Sequence, residues 1–319
     1  MTILVTGGAG FIGSNFIDYW MNKYSQEDKI ICVDKQTYAC NKDRVEYYRN
    51  LNDKNFLYAN FDIADKNTMD WLFSNYSIDI VINFAAESHV DNSIVDASPF
   101  IRSNVDGVAV LLDMCVKYGV PRFHQVSTDE VYGSAILDRD FAFVETDMLN
   151  PSSPYSSSKA AAEMLCISYG KTHNLFVTIS RCSNNYGKYQ HEEKLIPKII
   201  TQFKKGKKVP IYGTGKNLRD WIHVLDHCAA IEDIIFSGCP GEIYNIGGDN
   251  EYSNLEIVAQ IAKEMRVPIE NCIDFISDRK AHDFRYSIDS TKIKTQLGWK
   301  PAINFHEGLK ETIKWYIER

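Results

Sequence analysis

An apolar run, Thr2-Ile3-Leu4-Val5, passes directly into Gly7-Gly8-Ala9-Gly10-Phe11-Ile12-Gly13. Glycines at 7, 10 and 13 let a strand turn tightly into a helix. The backbone can then approach a pyrophosphate, with the free N–H groups and positive end of the helix facing it. Few features restrict a fold more, because such a turn works only inside a βα unit.

The rest of the chain keeps that rhythm. Short apolar runs predict strands at 2–6, 29–33, 56–59, 79–84, 122–126 and 175–181. Between them, 12–24, 66–75, 101–118 and 155–172 carry apolar residues at helical spacing. Alternation of this kind predicts an α/β fold, a Rossmann-type doubly wound parallel sheet whose ligand crevice lies at the carboxyl ends of its strands. Past about residue 185 loop-like pieces separate shorter elements. We therefore expect a dinucleotide-binding domain from 1–185 plus about 221–237. A smaller C-terminal substrate-binding lobe is expected from 186–220 and 238–319. No low-complexity linker separates them, so they should share a cleft.

Asp34 ends the second strand, about 20 residues beyond Gly13, where an acid accepts hydrogen bonds from a ribose 2′-hydroxyl. A carboxylate there repels a 2′-phosphate and favours NAD over NADP, although Lys35 beside it works the other way. Asp62-Ile63, at the third strand's end, is placed to hold the adenine. Phe84-Ala85-Ala86, after the fourth, gives the cofactor small residues to lie against.

Tyr155 and Lys159 stand four apart in Tyr155-Ser-Ser-Ser-Lys159, on one face of a helix opened by Pro154. The ammonium is expected to lower the tyrosine pKa and make the phenolate a base for a hydroxyl. Ser127-Thr128-Asp129-Glu130 follows the apolar stretch Phe123–Val126, so polar side chains should face the crevice. Two adjacent acids repel, one holds its proton more tightly, and the pair suits one acid and one base.

At these residues the chain resembles the extended short-chain dehydrogenases, and among them the dTDP-glucose 4,6-dehydratases. The likeness runs through Asp34-Lys-Gln-Thr-Tyr38, Asn83-Phe-Ala-Ala-Glu-Ser-His-Val-Asp91, Ser127-Thr-Asp-Glu-Val-Tyr-Gly133 and Arg181-Cys-Ser-Asn-Asn-Tyr-Gly187. It continues in Glu193-Lys-Leu-Ile-Pro197, Asn217-Leu-Arg-Asp-Trp221 and Asp278-Arg-Lys-Ala-His-Asp283. The acid pair is the specific motif, since related epimerases usually lack it.

The resemblance implies an NAD-dependent lyase acting on a nucleotide sugar. Gly7, Gly10, Phe11, Ile12, Gly13, Asp34, Lys35, Thr37, Asp62, Ile63, Ala85, Ala86, Ser88, Tyr155 and Lys159 would hold the cofactor. Tyr155 would take the C4 hydroxyl proton, with Thr128 beside the C4 oxygen. Glu130 would remove the C5 proton, and Asp129 would protonate the departing C6 hydroxyl. Ser88, His89, Asn184, Lys194 and Leu195 would meet the sugar and diphosphate. Arg219 and Arg279 would grip the diphosphate, and Tyr212, Asn254 and His282 would line the nucleoside. A homodimer is implied through helices near 101–118 and 155–172, with Ala160, Ala161 and Ala162 allowing close packing. Asn92, Lys188, His191-Glu192, Cys40 and Ala281 depart from the family pattern, mostly at the substrate cleft or its rim. A UDP-sugar dehydratase, an epimerase or decarboxylase, and a catalytically silent homologue remain as alternatives.

Composition narrows the setting. A net charge of -7 carries no sequence-wide basic footprint for nucleic acid. No apolar run nears the ~20 residues of a membrane span, and the first residues read as a strand rather than a secretory leader. Eight cysteines form no C-x-x-C pair. They are expected to be thiols of a cytoplasmic protein with no metal site.

Overall fold

A computed structural model describes residues 1–319 apart from Ser25, Gln26, Arg139, Glu270, Asn271 and Arg279. Six expected strands form: β1 (Thr2–Thr6), β2 (Lys29–Val33), β3 (Phe56–Ala59), β4 (Ile80–Asn83), β5 (Arg122–Thr128) and β6 (Phe176–Cys182). Three-residue β7 (Asn184–Tyr186) follows, then β8 (Val209–Tyr212), β9 (Leu218–His223), β10 (Ile243–Ile246), β11 (Glu251–Ser253) and β12 (Ile273–Ile276). A seven-stranded sheet runs β10-β6-β5-β4-β1-β2-β3, with every pair parallel. Its order reverses between β1 and β4, the switch point where such sheets bind ligands.

The helices through the sixth are α1 (Phe11–Tyr24), α2 (Lys42–Asn50), α3 (Lys66–Asn75), α4 (Val90–Val95), α5 (Ser98–Ile101) and α6 (Gly107–Tyr118). They are followed by α7 (Pro154–His173), α8 (Leu195–Lys204), α9 (Val224–Ser237), α10 (Asn254–Met265), α11 (Thr291–Leu297) and α12 (Phe305–Ile317). Helices cover both faces of the large sheet. Leu4, Ile31, Val81 and Phe123 pack toward α3, α6 and α7, whereas Ile3, Val5, Ile30 and Ile82 pack toward α1 and α9. This division is the strand period of two, buried on both sides.

Several expectations need correction. The helix predicted over 101–118 is broken by a π-helical turn at Arg102–Asp106. That turn buries Asn104, whose amide joins Ser158 Oγ at 2.9 Å and the Glu87 carbonyl at 3.0 Å. Residues 221–223 belong to β9, in a separate sheet ordered β11-β9-β7, so only α9 packs back on the first lobe. There Val224, Cys228, Ile231 and Ile235 meet Phe16, Ile17 and Trp20. Residues 243–246 leave the smaller lobe, because β10 pairs with β6 and extends the large sheet. Tyr244 and Ile246 are fully buried there. Of the three alanines on α7, Ala160 and Ala162 are buried within the chain. Successive helical residues point about 100° apart, and only Ala161 lies on the half-exposed side.

The smaller lobe is centred on α8, α10 and α12. Its core joins Ile196, Ile199 and Ile200 to Ile257, Ile261, Phe305 and Leu309. Parallel strands β8 and β12 flank it.

Candidate active site

The glycine turn fits its expected use. Gly7 has φ 65°, and a Cβ there would lie 2.7 Å from the Ala85 nitrogen. At Gly13 a Cβ would fall 2.4 Å from the Gly7 oxygen. Any side chain would push the turn away from the end of β4. The first-turn N–H groups of α1 have no intrahelical acceptor, so the turn offers donors and positive dipole to an anion.

Asp34 is buried, and its oxygens accept from Ala9 N at 3.0 Å and Gln36 N at 2.7 Å. It therefore also braces the glycine turn, a role its spacing did not reveal. Burial raises its pKa. Lys35 reaches Glu87 Oε1 at 3.5 Å. Asp62 is not among the residues lining the cavity, and its carboxylate accepts from Ala64 N at 2.9 Å and Arg102 Nη2 at 3.3 Å. Its neighbours Phe61 and Ile63 line the cavity instead. It lies past the end of β3, not on it.

A cavity of 280 Å³ runs from this turn to the ends of β5 and β6. Gly7, Gly10, Phe11, Ile12, Gly13, Asp34, Lys35, Thr37, Ile63, Ala85, Ala86 and Ser88 line it, as do Thr128, Asp129, Glu130, Tyr155 and Lys159. A second cavity, of 180 Å³, is lined by His89, Leu195, Tyr212, Arg219, Asn254 and His282. Glu130, Asn184, Glu193 and Lys194 line both, so the acid pair stands where they meet. Arg279 lies outside the described residues.

Strand β5 carries Thr128 to the crevice, and a tight 3-10 turn at Asp129–Tyr132 presents the two acids. Thr128 Oγ1 accepts from Glu130 N and donates to Asp129 Oδ1, both at 3.3 Å. Asp129 is 4% exposed, and among the described residues its Oδ2 has no hydrogen-bond partner. Burial first, then the charges of Glu130 and Asp220, holds its carboxyl well above the usual range against the pull of Arg219. This direction favours the protonated form of Asp129, the form an acid needs.

Tyr155 sits in the first turn of α7, where Ser153 and Ser156 form a reciprocal cap. Its backbone N–H donates to Ser93 Oγ at 3.2 Å. The expected lowering of the Tyr155 pKa is not found. Burial, then Glu130, raises it well above its ordinary value, and the Thr128 hydrogen bond works against them. The Lys159 ammonium donates to the Val126 carbonyl at 2.7 Å, and burial brings its pKa down to about 8. Spacing gave the shared face but not the dryness of the site.

Beneath the acids lies a buried ion pair. Arg181, on β6, donates to Glu163 Oε2 from Nη2 at 2.7 Å and from Nε at 3.0 Å. Ser127 Oγ donates to Glu163 Oε1 at 2.5 Å, and Arg181 Nη1 reaches Tyr132 Oη at 2.7 Å.

In the second cavity the Arg219 guanidinium lies 4.1 Å over the Tyr286 ring. It donates to the carbonyls of Leu218 at 2.7 Å and Asp283 at 2.9 Å. Lys194 reaches the Ser88 carbonyl at 2.8 Å, Tyr212 reaches Asp91 at 3.1 Å, and His282 reaches Asp278 at 2.6 Å. Burial lowers the His89 pKa, against the pull of Glu193. Sequence reading did not single out Lys198 and Tyr286 on this wall or Gln190 on the first; Trp221 and Glu193 entered it only within family motifs, and His191 only as a departure from the pattern. Lys198 stands one helical turn beyond Lys194, a spacing that could have found it. Among the described residues no cluster of three or more potential ligands could hold a metal.

A switch-point cavity with a glycine cradle, a Tyr–Lys pair and acids beside it defines a dinucleotide enzyme of the extended short-chain dehydrogenase class. The family model for GDP-mannose 4,6 dehydratase matches residues 4–312. The chain is 44% identical over 317 residues to the low-salt glycan biosynthesis protein Agl12 of Haloferax volcanii, covering 99% of each. It is 43% identical over 336 residues to the dTDP-glucose 4,6-dehydratase of Haemophilus influenzae, covering 99% of this chain and 98% of that one. The crystal structure of the dTDP-glucose 4,6-dehydratase DesIV from Streptomyces venezuelae, with NAD bound, superposes with a TM-score of 0.94 at 41% identity. It matches 100% of this chain and 97% of that one. The chain belongs to the nucleotide-sugar 4,6-dehydratase family, in its dTDP-glucose 4,6-dehydratase branch.

Proposed function

We propose that this chain is an NAD-dependent dTDP-glucose 4,6-dehydratase, converting the sugar to its 4-keto-6-deoxy form with loss of water. The observation that carries this reading is the acid pair at the junction of the two cavities. Asp129 is buried with its pKa held up by burial and by the charge of Glu130, and Glu130 lines both cavities. An epimerase has no use for such a pair, and a silent dinucleotide binder has no use for the Tyr155–Lys159 face either.

NAD fits the first cavity, because the glycine turn admits backbone and no side chain; when bound, it accepts a hydride and gives it back. Tyr155, in its deprotonated form, takes the C4 hydroxyl proton as the C4 hydride leaves, with Thr128 hydrogen-bonded beside the C4 oxygen. Burial and Glu130 work against that form, and the Thr128 hydrogen bond favours it. Glu130 removes the proton at C5, made acidic by the neighbouring ketone. Asp129 delivers its proton to the C6 hydroxyl, which leaves as water. Lys194, Lys198 and Arg219 give the second cavity the cationic character that suits a diphosphate.

We further read the enzyme as a cytoplasmic homodimer. All eight cysteines are free thiols, five of them buried. No helix of the described residues is long and apolar enough to cross a membrane. Ile101 and Val116 lie exposed around α6, as Met164 does on α7, a stripe that a second copy would cover. A monomer on size exclusion would remove that part of the reading.

The test is to offer dTDP-glucose, UDP-glucose and GDP-mannose separately and follow product mass. Loss of one water from the thymidine sugar, with no net NADH, is the expected result. Conversion without water loss from any sugar would overturn it. In Glu130→Gln, water loss should nearly vanish while C4 oxidation survives, so bound NADH accumulates.

A further inference from the structure

The segment after β7 holds unusual backbone angles. Gly187 has φ 148°, and Tyr189 has φ 68°, a region that strains a residue with a side chain. Such a conformation persists only where its surroundings impose it, and here they do. Asn15, on α1, donates its amide to the Lys188 carbonyl at 2.9 Å. Tyr316 Oη donates to the Gln190 carbonyl. The Tyr189 ring lies between two guanidiniums, with Arg44 Cζ at 5.0 Å and Arg319 Cζ at 5.7 Å, and it meets Trp315 edge-on at 5.2 Å.

Arg44 is buried, pairs with Asp18, and also lies 4.7 Å from the ring centres of Tyr47 and Tyr48. Among the described residues its Nε has no hydrogen-bond partner, and the aromatic faces add to its ion pair with Asp18. The stack joins α1 and α2, which flank the glycine turn, to α12 of the other lobe.

Beyond this anchor the chain lines the first cavity with Gln190, His191, Glu193 and Lys194. His191 meets the Tyr38 ring edge-on at 5.7 Å, and Tyr38 Oη donates to Glu193 at 3.4 Å. Tyr38 stands between Thr37 and Ala39, which line the same cavity. Two cavity-lining loops thus touch each other through Tyr38. Neither Tyr189, Arg44 nor Tyr38 lines either cavity.

We propose that residues 187–194 form a strap that closes the nicotinamide-dinucleotide cavity, with Tyr189, gripped by Arg44, as the positioning residue that keeps it shut. This rests on the NAD reading of the first cavity. The strap retains the dinucleotide between turnovers, which suits a reaction that returns the hydride it takes. Release requires the Tyr38 contacts to part and the strained turn to move.

The experiment loads the enzyme with NADH, chases with excess NAD and follows decay of the bound NADH fluorescence. Tyr189→Gly removes the ring and tolerates positive φ, and should speed release about tenfold. Tyr189→Phe keeps the ring and should release at nearly the parent rate. Tyr38 is 51% exposed, so Tyr38→Ala tests the other side of the mouth without touching the core; it too should release faster. With kcat at saturating NAD unchanged, this pattern supports the strap. Parent-rate release in both Tyr189→Gly and Tyr38→Ala overturns it while leaving the NAD reading intact. A parent enzyme that retains no dinucleotide overturns the NAD reading and the strap with it.

Discussion

Replacing Glu163 by Gln keeps the shape of the side chain but removes its charge, leaving the Arg181 guanidinium buried without a counterion. Glu163 is fully buried and Arg181 is 2% exposed. The carboxylate accepts two bonds from Arg181 at 3.0 Å or less and one from Ser127 at 2.5 Å. Breaking one side of so dry a pair costs about 3–5 kcal/mol, a fifth or more of the ~5–15 kcal/mol that holds a typical domain. Arg181→Met should cost a similar amount by stranding the carboxylate. The double variant Glu163→Met/Arg181→Met should lose several kcal/mol less than the two singles together, because neither charge is left alone. Urea unfolding of all four proteins gives the cycle, with a constant slope required for the comparison. If the losses simply add, the pair is not coupled and the electrostatic reasoning fails. Activity in Glu163→Gln should fall as well. Ser127 and Arg181 face each other across the β5–β6 register, one residue before Thr128.

Gly13→Ala places a methyl 2.4 Å from the Gly7 oxygen. The strain, about 1–3 kcal/mol of overpacking, should weaken NAD roughly 5- to 150-fold while far-UV dichroism stays native; calorimetry showing parental NAD affinity would contradict it. His124 and His227 are each lowered to about 3 by burial. Their folded pKa lies below the ordinary 6.5 of the unfolded chain, so the unfolded state takes up protons first as pH falls. Stability should therefore drop between about pH 6.5 and 3, by about 1.4 kcal/mol per pH unit for each histidine. His124→Asn combined with His227→Gln should flatten that slope in denaturant midpoints, and an unchanged slope would exclude these two as its source.

The glycine turn, the six leading strands, the Tyr155–Lys159 face and the Asp129–Glu130 pair were all legible in the sequence, because each is a local pattern with a fixed period. What escaped depends on distant partners. Strand β10 has only four residues, and β6 alone makes it part of the large sheet. The π-helical turn at Arg102–Asp106 keeps an apolar spacing that reads as plain helix. Lys159 was expected to serve Tyr155, but the Val126 carbonyl takes its ammonium, and burial then sets both pKa values. Asp62 was read from its position after β3, but Arg102, 40 residues away in sequence, decides where its carboxylate points.

The edge position of β10 bears on how the chain is made. The sheet that cradles the glycine turn includes Ile243–Ile246, so a fragment ending near 237 would leave β6 as an open edge inviting pairing with other chains. During synthesis the first lobe must wait for most of the polypeptide to leave the ribosome before its last strand docks. The two lobes are thus neighbours in space but not successive units of manufacture, and neither could be cut out and expressed alone at a point chosen from the sequence.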